Sequence, residues 1–332
     1  MKKIKVITSS PGLSGAGLIF DYLLDREDFV SPFKNFPDED QQSEFRFVTD
    51  PGGLNSLYYG FYENFSINNC AYVFDEFNKY LNKLKKLSIK KNNNKIFLYN
   101  NRFFKEIEIF KKKVIRLEYY GLPQFYRLGL SNKDKIIWKL SYKIKSAQDS
   151  RFLKMVIPVE KLIFIKTAQN LINNFLDSKT KKKKNIVIDQ GINFWKPNTS
   201  SIFFSDCKIV IITRDPRSIF ASMKSRKSLS YPGNNVHTFI NWYKLIMANF
   251  KNLKNNKKII FIKYENFILN YEKETKRLLR FLKLKKLKNK KFDINNSKKN
   301  IFKAKKILNQ KELNLIEKKL KNYLQWPKKI YI

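Results

Sequence analysis

The first residues whose types and spacing suggest chemistry form a glycine-rich loop, residues 9–17, between a short β-like run and an apolar helix-like run. Glycines let backbone N–H groups approach an anion closely, and the start of a following helix attracts negative charge. Gly12 and Gly17 have the spacing of a nucleotide-triphosphate loop. Leu18 and Ile19 follow, where Lys and Ser or Thr would bind phosphates and magnesium. The loop therefore predicts a phosphate site without ATP or GTP hydrolysis; a simple glycine-rich turn is the alternative.

A second candidate is the run RDPRSIFASMKSR, which begins at Arg214 directly after an apolar β-like segment. Asp215 is a plausible N-cap of the helix that follows. Ser218, Ser222 and Arg226 recur every four residues and so share one helix face. Arginine offers a charged fork and serine a hydroxyl donor, so Arg214 and a serine of this face are predicted to bind one phosphate. The alternative is an Arg214–Asp215 pair with surface serines.

The segment RDPRSIFAS resembles the 3′-phosphate-binding motif of sulfotransferases that use 3′-phosphoadenosine 5′-phosphosulfate (PAPS), with Arg214 and Ser222 at the motif's Arg and Ser positions. The glycine loop lies where that family has its 5′-phosphosulfate loop. The later segment IKYENFILNYEKETKRLLRFLKL is similar to the family's strand–YE–helix block. The resemblance implies transfer of a sulfuryl group from PAPS to a hydroxyl, plausibly on a carbohydrate or small metabolite. It also implies that Tyr264 helps position the adenine, unless it is a core tyrosine at a strand end.

The glycine loop departs from the family pattern in one respect. The family usually carries Lys or Arg just before an S-G-T-T-like core, whereas this chain has Leu13 and neither cation nor threonine up to Gly17. The resemblance still assigns the 5′-phosphate to Gly12, to the Ser14 hydroxyl, and to the backbone amides of Gly15, Ala16 and Gly17. The positive charge is then expected to come from elsewhere in the chain, or the chain binds the nucleotide with weak or no turnover.

Two carboxylates are candidates for the base that accepts the proton of the acceptor hydroxyl. Asp189 ends the apolar run NIVID, at the sheet edge where open α/β sheets bind ligands. Glu44 lies in the loop after the first helix, where some branches of the resembled family have a catalytic glutamate. The structural alternatives are a turn cap for Asp189 and an ion pair with Arg46 for Glu44. His237, the sole histidine of the chain, is a weaker candidate.

The elements that must position these residues are short buried strands alternating with helices. Apolar, β-branched runs without alternation are typical of parallel strands buried on both faces. They predict strands at 4–8, 185–189, 208–213 and 258–263, and intervening helices at 18–24, 216–227, 237–253 and 271–282. The expected fold class is α/β, a three-layer sandwich with a central parallel sheet flanked by helices, the P-loop-like sulfotransferase fold.

We expect one domain over residues 1–332, with a helical insertion at 54–160 that carries aromatics at helical spacing. The lysine-rich stretch 283–306 is predicted to be an exposed loop, and 310–324 a final amphipathic helix. The insertion and the loop 227–236 are expected to select the acceptor, whose identity the sequence leaves open.

The formal net charge of +40 comes from lysines spread along the whole chain, among abundant Asn, Ile, Phe and Tyr. Such a mixture is typical of A/T-biased coding, although it also favours anionic ligands. No basic–aromatic repeat predicts nucleic-acid binding. No apolar run is long enough to span a membrane, so a cytoplasmic protein is expected. Two cysteines and one histidine predict no metal site.

Two other functions stay open at this stage. One is a nucleotide- or polyanion-binding protein of the same fold with impaired catalysis. The other is a small-molecule kinase. The oligomeric state has no sequence correlate.

Overall fold

The computed structural model describes most of the chain, and all structural statements below concern the described residues. They are residues 3–32, 45–90, 99, 101–121, 131–141, 153–180, 184–227, 230–250, 253, 255–287, 292–298 and 300–325. Glu44, one of the two predicted bases, lies outside them.

The central sheet consists of the five parallel strands β1 (Lys5–Ser9), β2 (Phe29–Val30), β5 (Asn185–Asp189), β6 (Cys207–Thr213) and β7 (Ile259–Lys263), in the order β2-β5-β1-β6-β7. Ile7 in the middle of β1 pairs with Ile188 of β5 on one side and with Ile209 of β6 on the other. The predicted parallel sheet is confirmed. The strand β2 was not predicted, because two residues are too few to show a pattern.

Helices cover both faces of the sheet. The helices of the described residues are α1 (Ala16–Leu24), α2 (Leu54–Tyr58), α3 (Ile67–Lys90), α4 (Asn101–Val114), α5 (Asn132–Ser141), α6 (Lys161–Lys179), α7 (Pro197–Ser200), α8 (Pro216–Ser225), α9 (Val236–Phe250), α10 (Tyr264–Leu269), α11 (Tyr271–Leu282), α12 (Asn295–Lys298), α13 (Lys303–Ile307) and α14 (Gln310–Lys319). A π-helical turn (Tyr59–Glu63) extends α2, and one-turn 3₁₀ helices lie at Arg46–Val48, Ser201–Phe203 and Lys321–Tyr323.

Successive residues of a strand point to opposite faces of the sheet, so their side chains pack into two apolar cores. Ile7 and Ile211 belong to the core under α3, α4 and α6, whereas Val6, Val210 and Ile212 belong to the core under α1, α8 and α11. Both sheet faces are thereby buried, as the unalternating apolar runs predicted. The three-layer α/β sandwich is confirmed. None of the described helices is both long and apolar enough to cross a membrane.

Residues 54–160 are not helical throughout. The helix α4 runs directly into strand β3 (Ile115–Gly121), which pairs antiparallel with β4 (Leu153–Pro158). Most of β3 is exposed, so its residues carry little of the apolar pattern that identifies a strand. Its partner follows some thirty residues later, which no local pattern reveals. The helical prediction for this stretch was therefore incomplete; its status as a separate insertion stays a prediction.

The stretch 283–306 is not simply an exposed loop. It contains α12 and α13, and Ile301 and Ala304 are fully buried in the core beside α8. Two apolar residues inside a lysine-rich run anchor it, and the lysine content concealed them at the sequence level. Ser297, Asn300 and Lys303 of this stretch line one side of a cleft at the carboxyl edge of the sheet.

Candidate active site

A cleft of about 880 Å³ opens at the carboxyl edge of the sheet, above the ends of β1, β5 and β6. Loops that leave neighbouring parallel strands meet at this edge, which is where ligands of open α/β sheets bind. The lining residues are mainly polar side chains and glycines, together with a few aromatic rings. They include Ser10, Gly12, Leu13, Gly15, Ala16, Gly17, Asp21, Arg46, Thr49, Asp50, Asp189, Gln190, Asn193, Phe194, Trp195, Arg214, Ser222, Arg226, Tyr231, Tyr264, Ser297, Asn300 and Lys303.

The glycine loop forms the floor of the cleft and leads straight into α1. Leu13 and Gly15 both have left-handed backbone, with φ of 57° and 89°. A Cβ at Gly15 would lie 2.5 Å from the Tyr264 ring, and a Cβ at Gly12 would lie 2.5 Å from the Tyr231 ring. These two glycines are therefore required by close packing. The first-turn amides of α1 have no intrahelical acceptor, so the helix start faces the cleft as an anion-binding end.

Gly17 and Ser14 differ from the packed glycines. A Cβ at Gly17 would meet nothing within 4 Å, so this position borders open cleft. Ser14 is fully buried, and its hydroxyl donates to the backbone carbonyl of Pro11. The structure therefore turns the Ser14 hydroxyl away from the cleft and into the loop itself, whereas sequence reasoning assigned it to the phosphate. Its local role is to hold the loop closed.

Arg214 reaches the loop from the end of β6 and is 5% exposed. Its Nη1 donates to the Leu13 carbonyl (3.3 Å) and to Ser222 Oγ (3.3 Å), and its Nη2 donates to the Asn300 carbonyl. Its Nε has no hydrogen-bond partner among the described residues and lies 3.9 Å from Glu265 Oε1. Burial lowers the pKa of the Arg214 guanidinium, which nonetheless keeps its charge. The structure thus brings Arg214, Ser222 and the glycine loop together, as predicted.

The alternative pairing of Arg214 with Asp215 is not what the structure has. The Asp215 carboxylate binds both Arg217 Nε (2.9 Å) and Arg217 Nη2 (2.8 Å), and it caps α8 by accepting from the Arg217 amide. Arg217 also reaches Glu317 of α14 at 2.7 Å. Ser218 donates to the Ile301 carbonyl and is fully buried, so only Ser222 of the two serines borders the cleft.

Glu265 is a positioning residue that sequence reasoning did not single out. It is fully buried, and both of its carboxylate oxygens accept from the Asp215 amide at 3.1 and 3.2 Å. Burial first, and next the Asp215 charge, raise the pKa of Glu265 to about 7, while the Arg214 charge opposes the rise. The carboxylate lies behind Arg214 and sets the direction of the turn that presents it. Its position directly after Tyr264 in the YE pair was the available signal.

Tyr264 is 4% exposed and packs between Arg214 and the glycine loop. The Arg214 guanidinium carbon lies 4.7 Å from the ring centroid, which is a cation–π contact. The Tyr264 hydroxyl donates to the Ser297 carbonyl at 3.4 Å. The structure therefore gives this tyrosine a bracing role at the cleft, and its contact with an adenine stays a prediction.

Two cations that sequence reasoning did not assign to the site join Arg214 at this end. Arg226, at the end of α8, and Lys303, at the start of α13, both line the cleft. Burial lowers the pKa of Lys303, and the Arg226 and Arg214 charges lower it further. The three side chains thus form a cluster of positive charge, here called the cation cluster, which favours an anion. Lys303 was missed because it lies in the stretch predicted to be a loop.

Asp189 lies at the opposite side of the loop, at the end of β5. Its Oδ1 accepts from Thr8 Oγ1 (2.6 Å) and from the Gln190 amide (3.1 Å). The side chain both caps the turn and lines the cleft, and its role as a base stays a prediction. His237 is exposed at the start of α9 and is not among the residues that line the cleft.

The wall beyond Asp189 consists of polar and aromatic residues from two further segments. Asp50 accepts from the Tyr80 hydroxyl at 3.0 Å, and burial raises the pKa of its carboxyl. Phe194 and Trp195 stand side by side on the cleft, with ring centroids 5.4 Å apart. Neither aromatic was predicted to belong to the site, since the loop after β5 carries no readable pattern.

Metal-binding groups do not occur as a cluster in the part of the chain that the structure describes: no three His, Cys, Asp or Glu side chains come together there. Cys70 and Cys207 are both free and buried.

The sheet order, the glycine loop after the first strand and the arginine after a neighbouring strand define an α/β protein of P-loop-like fold. Residues 145–288 match the model of a family described as "Sulfotransferase family". This match covers Arg214, Ser222 and Tyr264, which carry the sequence resemblance, and it also covers Asp189. The predicted resemblance to the sulfotransferase family is confirmed over these residues. No curated protein sequence is significantly similar to the chain.

Several solved structures align with the chain at low identity. A sulfotransferase domain from the curacin biosynthetic pathway shares 12% identity, with 98% of this chain and 99% of that chain covered and a TM-score of 0.42. The sulfotransferase domain of the Synechococcus PCC 7002 olefin synthase shares 11%, with 98% and 96% covered and a TM-score of 0.44. Mouse sulfotransferase SULT7A1, complexed with PAP, shares 17%, with 47% and 72% covered and a TM-score of 0.31.

Proposed function

We propose that this chain transfers a sulfuryl group from PAPS to a hydroxyl acceptor. The observation that carries the proposal is the buried Arg214, which lies with Ser222 at one side of the glycine loop in a single cleft. Three of its five N–H donors bind other groups of the protein, and its Nε, 3.9 Å from Glu265 Oε1, makes no hydrogen bond to any described residue. A buried charged group with spare donors favours an anionic ligand at this point.

The donor nucleotide fits the cleft through two groups of residues. Arg214, Ser222 and the cation cluster would hold the 3′-phosphate, since charged donors and a hydroxyl converge there. The amides of Gly15, Ala16 and Gly17 would hold the 5′-phosphate at the start of α1. Tyr264 would border the adenine. When bound, PAPS supplies an activated sulfuryl group, and the chain supplies its orientation.

The chain's own contribution to the chemistry is positioning and charge. Sulfuryl transfer, like phosphoryl transfer, spreads negative charge over equatorial oxygens during in-line displacement. Asp189 lines the cleft beside the loop and is the candidate to accept the acceptor's proton, a contribution of typically 10²–10⁴-fold. Glu44, which lies outside the described residues, is an equal candidate for this role. Phe194 and Trp195 offer apolar faces on which the ring of a carbohydrate or small metabolite would pack.

A kinase is the less favoured alternative. Leu18 and Ile19, which stand where a kinase loop has Lys and Ser or Thr, are both buried in the core under α1. They offer neither a charge for the γ-phosphate nor a ligand for magnesium. The other alternative is a protein that binds the nucleotide with little turnover. It differs from an active sulfotransferase in its turnover rate and not in its affinity for the nucleotide.

The proposal is tested by calorimetry and by turnover. We expect adenosine 3′,5′-bisphosphate to bind more tightly than ATP with magnesium, and a screen of hydroxylated acceptors with radiolabelled PAPS to yield a labelled product. Tight bisphosphate binding without transfer to any acceptor would favour the binding protein. Tighter binding of ATP with magnesium would favour the kinase.

The base is tested separately by amide replacement. Asp189→Asn keeps the cap of the β5 turn but removes the proton acceptor, so we expect turnover to fall about 10²-fold or more with bisphosphate affinity nearly unchanged. For Glu44 the matching amide replacement is Glu44→Gln, which keeps the length of the side chain. Unchanged turnover in both variants rules out the pair.

A further inference from the structure

The glycine loop has no positive charge of its own. Its residues from Leu13 to Gly17 are uncharged, and the Leu13 carbonyl is already bound by Arg214. Sulfuryl transfer builds negative charge on the transferred group and on the leaving phosphate oxygen, and a fixed cation near them lowers the barrier. The charge must therefore come from another element that borders the cleft.

The cation cluster is not suited to this task. Arg214 contacts Ser222 and the Asn300 carbonyl on the β6 side of the loop. Lys303 lies close enough to Arg214 and Arg226 for their charges to depress its pKa. These three side chains share one end of the cleft, where the proposed function puts the 3′-phosphate.

Arg46 lines the cleft from the opposite side. It begins the 3₁₀ turn Arg46–Val48, and the preceding Phe45 amide donates to the Asp189 carbonyl at 3.2 Å. This bond ties the turn to the carboxyl end of β5. Because β5 and β6 flank β1 on opposite sides and are about 10 Å apart, the turn that carries Arg46, tied to the end of β5, lies on the opposite side of the loop from Arg214 at the end of β6.

The backbone of this turn is held firmly. The Thr49 and Asp50 amides both donate to the Arg46 carbonyl at 2.8 Å, and the Asp50 carboxylate is bound by Tyr80. The Arg46 charge acts on Asp50 and lowers the pKa of its carboxyl against the effect of burial. Arg46 is thus a charge carried on an anchored turn beside the candidate base, and not on a free-ended loop.

We propose that Arg46 supplies the positive charge that the glycine loop lacks, by binding the transferred sulfuryl group at the β5 end of the cleft. The inference rests on the proposed function. In the step it serves, the acceptor hydroxyl oxygen forms a bond to sulfur while the bond from sulfur to the bridging phosphate oxygen breaks. The hydroxyl proton passes to the base, the electron pair leaves with the bisphosphate, and Arg46 stays protonated throughout.

The test compares Arg46→Ala and Arg46→Lys with Lys196→Ala. Lys196 is exposed near the same wall and does not line the cleft, so its removal controls for the loss of one charge from the surface. For Arg46→Ala we expect turnover to fall about 10²–10³-fold, the usual effect of losing one donor to transition-state charge. Affinity for adenosine 3′,5′-bisphosphate, which lacks the sulfuryl group, should change less than about threefold. Arg46→Lys should keep part of the rate, and Lys196→Ala nearly all of it.

The second test moves the positive charge from Arg46 to the glycine loop. Leu13→Lys, added to Arg46→Ala, puts a cation on the loop itself, and we expect it to restore at least about tenfold of the lost rate. If the wild type binds PAPS without measurable turnover, the ratio of PAPS affinity to bisphosphate affinity serves instead and should fall in Arg46→Ala.

Three results overturn the inference while leaving the proposed function intact. They are an unchanged rate and affinity ratio in Arg46→Ala, a loss of bisphosphate affinity as large as the loss of rate, and no gain from Leu13→Lys. Failure of the wild type to bind the bisphosphate is a different result, because it refutes the proposed function itself.

Discussion

Replacing Arg214 by Gln should reduce the contribution of the 3′-phosphate to nucleotide binding. Three of the five N–H donors of Arg214 are committed to Leu13, Ser222 and Asn300, and the Nε faces Glu265 at 3.9 Å. About one charged hydrogen bond is therefore left for the phosphate. Such a bond contributes about 1.5–3 kcal/mol, which corresponds to roughly a 10- to 150-fold change in affinity.

The assay is a two-by-two calorimetric comparison of adenosine 3′,5′-bisphosphate with adenosine 5′-phosphate, in wild type and in Arg214→Gln. The ratio of the two affinities should fall by the factor above in the variant, while the affinity for adenosine 5′-phosphate changes little. Arg280→Gln, exposed on α11 and away from the cleft, controls for net charge. Equal losses for both ligands would refute the reasoning, since they would mean that Arg214 only holds the loop. Melting temperatures of both variants separate that outcome from unfolding.

Two further predictions concern the glycine loop and the buried carboxylate behind Arg214. Gly15→Ala should lower both stability and bisphosphate affinity, because its φ of 89° costs an L-residue about 1–3 kcal/mol and its Cβ would meet the Tyr264 ring at 2.5 Å. Gly17→Ala should raise stability by up to about 1 kcal/mol, since it lies in α1 and its Cβ meets no atom within 4 Å, yet lower the affinity because the methyl group enters the cleft. Glu265→Gln should flatten the pH dependence of stability. The pKa of Glu265 is raised from 4.5 to about 7 in the folded chain, so the wild type loses stability as pH rises through that window, by at most about 3 kcal/mol.

Each of these predictions is checked by its own measurement, and a specific result would contradict it. Thermal unfolding and calorimetry check the glycine variants as a pair, and parallel losses of stability at both positions would contradict the packing argument. Urea unfolding at several pH values between 4.5 and 8 checks Glu265→Gln, and the argument fails if wild type and variant keep the same slope across the window.

Much of the fold could be predicted because its elements carry local patterns. The four central strands are apolar runs buried on both faces, and each was found within a residue or two of its bounds. The antiparallel pair of β3 and β4 was not predicted, because β3 is largely exposed and its pairing joins residues distant in the chain. The 283–306 stretch was misjudged since only two of its apolar residues, Ile301 and Ala304, anchor it fully.

The candidate site divides in the same way. Arg214, Ser222 and the glycines lie in contiguous segments with recognisable spacing, so residue types alone pointed to a phosphate. Arg46 and Lys303 carry no such spacing, and only the packing of distant segments brings them to the cleft. Ser14 shows the opposite effect. Its residue type suggested a hydroxyl that donates to a phosphate, whereas in the folded loop this hydroxyl donates to the Pro11 carbonyl.

By itself, the sequence determined the parallel α/β architecture and the residue types of the candidate anion site, because both depend on neighbours in the chain. Only the tertiary structure decided which charges surround that site. The Arg214 guanidinium is held by carbonyls of Leu13 and Asn300, residues far from it in the chain. Contacts of this kind form only when the helices pack on the sheet. Burial then determines the charge of each side chain and the direction in which it points.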